Sequence, residues 1–98
     1  MKEDAVREVV YYVRDDRVPT GMLLCREISK SEARVGFCCL HEKDFGRFDK
    51  RLGYLIARGR AESRRRRRAE EYPKKLQKHI IPFLNKCEKV FPNKKIVI

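Results

Sequence analysis

Seven of the eleven residues from Arg58 to Arg68 are arginines: Arg58, Arg60 and the unbroken run Arg64, Arg65, Arg66, Arg67 and Arg68, opposed within that span only by Glu62. Guanidinium groups at this density repel one another in a lone chain, and phosphates relieve the repulsion while displacing condensed counterions. The pattern points to a polyanion as partner. Lys74, Lys75 and Lys78 extend the same charge into the segment that follows. Successive helical residues turn by about 100°, so Arg64 to Arg68 would sweep around the whole circumference of a helix and could not share one face. As a helix the run must stand clear of the core; as a loop it is free to wrap a partner. The bland alternative is a solvated connection between two helices, kept from collapsing by its charge. A nuclear localisation signal is a third reading, tied to a eukaryotic setting.

Four thiols and two imidazoles are the other residues with reactive chemistry. Cys38, Cys39 and His41, with Cys25 on a neighbouring strand, suggest a metal site. On a strand, however, Cys39 and His41 share a face while Cys38 points away, and no CxxC pair supplies a tetrahedral knuckle. Cys39 and His41 are also the one thiol and imidazole pair close in sequence, yet nothing nearby supplies an oxyanion hole or a third, orienting group. Glu42, Asp44 and Asp49 could gather a divalent cation, but acidic residues at a helix start ordinarily complement its dipole. We therefore expect no catalytic residue, no metal and no cofactor. Tyr11 and Tyr12 are adjacent on a strand, so one ring points to each sheet face; an exposed ring would offer a platform for an unpaired base, and the bland alternative, the favoured one, is that it only packs beside a neighbouring strand.

The charge is unevenly placed. Residues 1–50 carry ten basic and ten acidic side chains and residues 51–98 carry fifteen and four, so the whole net charge of +11 belongs to the second half. Leu, Ile, Val and Phe make up 26 of the 98 residues, enough for a small folded core and consistent with one domain over 1–98. No run of eighteen apolar residues is present, which excludes a membrane-spanning helix, and no secretion signal is visible at Met1. A cytoplasmic setting with reduced cysteines is expected, that of the host cell if the protein is viral.

The elements that must position these residues follow from periodicity. "VREVVYYVR" (6–14) is rich in β-branched and aromatic residues, "DDRVPTG" (15–21) reads as a turn, and "MLLCREIS" and "ARVGFCCLH" alternate as two further strands. Val35, Phe37, Cys39 and His41 then share one face. The short connections require an antiparallel meander over about 6–41. From Asp44 the period changes: Phe45, Phe48, Leu52, Leu55, Ile56 and Gly59 form one helical stripe, predicted to lie on the sheet. Gly53, Ala57 and Ala61 form a narrower side beside it, open to another backbone or to self-association, and Gly53 and Gly59 are expected to have packing reasons. Leu76, Ile80, Phe83, Leu84, Cys87 and Phe91 form a second stripe behind Pro73, with Pro82 predicted to kink the helix or divide it in two. "KKIVI" can add a short strand to a sheet edge.

Residues 35–61, "VGFCCLHEKDFGRFDKRLGYLIARGRA", resemble a pattern in small uncharacterised proteins of bacteriophages and other mobile elements. In that pattern a VG-containing strand leads through an acidic turn into a helix with K/R-x-x-G-x-x-I-A-x-G-R-A. Val35, Gly36, Asp44, Phe48, Lys50 or Arg51, Gly53, Ile56, Ala57, Gly59, Arg60 and Ala61 carry the likeness over about a quarter of the chain. It implies a small accessory protein of a virus or prophage and assigns no catalytic residue.

The expectation is thus an α+β domain: a three-stranded antiparallel meander covered by helices at about 44–62 and 74–91, joined by a basic connection, 62–73. Its expected role is non-enzymatic nucleic-acid binding, DNA or RNA, with little sequence preference, because phosphate contacts position a protein without reading bases. The rival is an inhibitor that docks the same basic face on an acidic host protein.

Overall fold

The computed structural model describes residues 7–40, 49–63 and 67–98. Strands β1 (Glu8–Asp15), β2 (Val18–Glu27) and β3 (Glu32–Cys39) form the antiparallel meander. Helix α1 (Lys50–Glu62) and helix α2 (Lys74–Val90) follow, and β4 (Lys95–Val97) joins the sheet parallel to β3, in the order β1-β2-β3-β4. The α+β architecture and the short C-terminal strand are as the sequence indicates.

The first turn is tighter than the sequence suggests. Only Asp16 and Arg17 lie outside the strands, both with positive φ (48° and 70°), the left-handed geometry that matches the twist of a two-residue hairpin. Val18 to Gly21 therefore belong to β2. Pro19 is tolerated there because it sits beside the irregularity between Val13 and Arg14 and before the first residue pair with β3, Gly21 with Cys39.

The helices lie on opposite faces of the sheet. Alternation in β2 sends Leu23 and Cys25 into the α2 core, with Val9, Val13 and Val35, while Met22 and Leu24 pack toward α1 with Cys38. This explains why β2 reads as a nearly continuous apolar run: both its faces are covered. The α2 stripe lies as predicted, with Leu76, Ile80, Phe83, Cys87 and Phe91 buried. The helix runs through Pro82, one of its exposed residues, without being divided.

Helix α1 corrects the sequence reading in three respects. It starts at Lys50 rather than near 44: Asp49 has extended dihedrals (φ −91°, ψ 109°), and its carboxylate caps the Arg51 and Leu52 amides. Phe45 and Phe48 lie outside the described residues. The leucine stripe does not face the sheet: Leu52 and Leu55 are 56% and 51% exposed and Ile56 is 38% exposed. The small side does, with Gly53, Ala57 and Ala61 buried. Gly36 dictates this, because the α1 backbone passes so near β3 that a Cβ on Gly36 would overlap the Ala57 carbonyl. Large side chains cannot fit between backbones at that separation. Gly59 faces open space and has no packing role.

Candidate nucleic-acid interface

Ser63 and Arg67, on either side of the connection from α1 to α2, are both tied to the sheet edge: the Ser63 carbonyl accepts from Arg34 of β3, and the Arg67 amide bonds the Ile98 carbonyl next to β4. β4 pairs with Glu32 to Arg34 only, so Val35 to Cys39 present an edge that β4 does not cover. Two of the predicted arginines close it. Arg60 donates from Nη1 to the Phe37 carbonyl (3.0 Å) and sets its guanidinium 4.4 Å from the Phe37 ring centroid. Arg67 lies 5.6 Å from the same centroid, donates to the Arg60 carbonyl (3.4 Å), and its backbone amide bonds the Ile98 carbonyl. Tyr72 completes the cluster, its ring 4.8 Å from that of Phe37. A planar cation over an aromatic face and a bond to an open edge both stabilise the fold, so these two side chains have structural duties as well as charge.

Arg58 is also engaged. Its Nε lies 2.9 Å from Glu62, which also pairs with Arg26 (3.1 Å); Arg26 reaches Glu8 (2.6 Å), and Tyr54 donates to both oxygens of Glu8. The Arg58 guanidinium beside Glu62 holds that carboxyl below the usual carboxylate range. Arg64, Arg65 and Arg66 lie outside the described residues. Arg68 is exposed at the start of a 3₁₀ turn, Ala69–Glu71.

The lysines occupy a different environment. Lys74 and Lys78 are exposed on the first turns of α2, and Lys75 is half-buried. Lys75 and Lys78 line a cavity of about 260 Å³ with Arg14 from β1, Thr20 and Val13 from the hairpin, and His79. Among the described lining residues, three cations and an imidazole border one space. Burial, and secondarily Lys78, push the His79 pKa down, as expected for an imidazole in a positive field. Burial raises the Cys39 thiol, while Lys75 and Arg60 both pull it down, so one thiol at the top of β3 senses the two groups together.

Arg14 and His79 were not singled out from the sequence for this cleft, and no local signal marks them. Tyr11 and His79 meet across 68 positions of chain, with ring centroids 5.5 Å apart. The alternation in "YY" did indicate one ring on each face: Tyr12 packs with the α1 core under Lys50, and Tyr11, 38% exposed, faces α2.

The thiols separate by face. Cys25 and Cys87 are buried together in the α2 core, where a hydrogen bond to Cys87 and burial raise the Cys25 thiol well above its ordinary value, whereas Cys38 lies on the α1 side. His41, Glu42 and Asp44 lie outside the described residues. Among the described residues no three His, Cys, Asp or Glu side chains gather as metal ligands, and no helix is long and apolar enough to cross a membrane. Compared with known proteins, the chain matches no family, no curated protein and no solved structure.

Proposed function

We propose that this chain is a small, non-enzymatic nucleic-acid-binding protein, an accessory protein of viral or prophage type that acts in the host cytoplasm and grips phosphates with little sequence preference. The observation that carries the reading is the cleft in which Arg14, Lys75, Lys78 and His79 converge. Fixed cations around a single space favour a multivalent anion, and Lys74 and Arg68 add exposed charge near the start of α2. Arg64, Arg65 and Arg66 contribute three further charges between the anchored residues Ser63 and Arg67.

The test is binding of labelled single-stranded and duplex DNA and RNA across a salt series, for the natural protein, for Arg64 to Arg68 changed to glutamine, and for Lys75→Gln with Lys78→Gln. Affinity should fall steeply with salt, and the slope should shrink by about 0.7 to 0.9 for each phosphate contact removed. Salt-insensitive or absent binding would overturn the reading.

One observation favours the rival, a module that docks on an acidic host protein: the exposed Leu52, Leu55 and Ile56 on α1 would give a protein partner an apolar contact. Such a partner would bind in a fixed ratio and lose affinity on Leu55→Gln, which leaves the charge and so nucleic-acid binding unchanged.

A further inference from the structure

A second cavity, of about 170 Å³, adjoins the basic cleft, and His79 lines both. Its other walls are Tyr11, Pro82, Phe83 and Lys86. The two differ in kind: one is bounded by cations, the other mainly by rings. We infer that together they form a subsite for one unpaired nucleotide, with the base against Tyr11 and Pro82 and its phosphate held by Arg14, Lys75 and Lys78. This deepens the reading of the chain as a nucleic-acid binder and rests on it; what it adds is a preference for single strands.

Helix α2 sets the geometry. Lys75 and His79, Lys78 and Pro82, and Pro82 and Lys86 are each four residues apart, so these five residues form one stripe of α2 beside its buried side. Lys78 and Lys86 stand eight residues apart, about 12 Å along the axis, with Pro82 midway. Cations therefore flank the aromatic cavity along the helix, the arrangement needed to hold the backbone of a strand on either side of an inserted base. Tyr11 leaves much of its ring open and is fixed by His79, with the rings tilted at 42° and the hydroxyl 3.4 Å from Nδ1. Phe83, buried in the α2 core, supplies a rigid floor. Pro82 has no amide hydrogen, so the Lys78 carbonyl lacks its usual helical donor and remains an acceptor on the same stripe. A paired base could not enter, because its ring faces are stacked inside a duplex and only its edges are accessible.

The experiment is fluorescence anisotropy with a labelled thymidine oligonucleotide, the same strand with abasic sites, and a duplex of equal length, for the natural protein, Tyr11→Ala and Tyr11→Phe. Tyr11→Ala should weaken single-strand binding about five- to hundredfold, Tyr11→Phe should restore most of it, and duplex binding should change little. The abasic strand should bind the natural protein about as weakly as the intact strand binds Tyr11→Ala. If the natural protein binds strands with a steep salt dependence but Tyr11→Ala and the abasic strand match the natural pair, the subsite is wrong and nucleic-acid binding stands. If the natural protein binds neither strand nor duplex, the functional reading fails and the subsite with it.

Discussion

Gly36 of β3 and Ala57 of α1 meet backbone to backbone: a Cβ on Gly36 would overlap the Ala57 carbonyl oxygen and come within 2.5 Å of the Ala61 amide nitrogen. Neither obstacle is a flexible side-chain end that could swing aside. Gly36→Ala must push α1 off the sheet and is expected to destabilise the fold by about 3 kcal/mol or more, at the upper end of overpacking costs. Denaturant unfolding monitored by circular dichroism measures it, and a loss below about 1 kcal/mol would show that α1 does not sit this close.

Gly59 is the opposite case on the same helix. A Cβ there meets no atom within 4 Å, and the residue lies inside α1. Gly59→Ala should stabilise by about 0.5 to 1 kcal/mol through helix propensity and a less flexible unfolded chain. A midpoint shifted to lower denaturant would contradict the placement of Gly59 on the outer side.

The apolar stripes of the two helices should differ sharply in cost. Leu76 is fully buried, and Leu76→Ala should cost about 2 to 5 kcal/mol. Leu55 is half exposed, and Leu55→Ala should change stability by only about 0.5 kcal/mol. Equal costs in paired unfolding curves would place the leucine stripe against the sheet after all.

The four thiols should label in an order set by burial. Cys39 is half-buried and is the thiol that both Lys75 and Arg60 pull down, so it should react first with a chromogenic disulfide reagent at neutral pH. Cys25 and Cys87, enclosed in the α2 core, should react only as the chain unfolds. Lys75→Gln should slow the first phase, because it removes a cation that favours the thiolate. A first phase assigned to Cys25 by mass spectrometry would refute this order.

His79 should titrate below the ordinary histidine value, because burial and Lys78 both disfavour its charged form. The unfolded chain then binds the proton more readily than the folded one. Stability from this group is whole above the unfolded-state value, about 6.5, and declines as pH falls toward the folded midpoint. NMR of the imidazole ring gives the midpoint directly, and Lys78→Gln should raise it. A midpoint above that of an unstructured histidine peptide would mean that an acidic group faces the ring.

The sequence by itself determined the elements and their kind, because strand and helix leave different periods in the apolar residues. Val35, Phe37 and Cys39 share the face that alternation assigns them, and α2 buries Leu76, Ile80, Phe83, Cys87 and Phe91 as its stripe requires. Lys75 and Lys78 were legible as candidate contacts from charge alone. Tertiary structure decided what each face meets. A hydrophobic stripe shows that a helix has an apolar side, but the separation of two backbones selects the buried side, and at Gly36 that separation admits only Gly53, Ala57 and Ala61. Arg60 and Arg67 look like exposed charge in the sequence and turn inward because the β3 edge has an unpaired carbonyl and an aromatic ring to offer. The adjacent tyrosines show that one ring faces outward, but the convergence of Arg14 and His79 beside Tyr11 has no local signature. It exists only once β1 and α2, distant in the chain, are packed on the same side of the sheet.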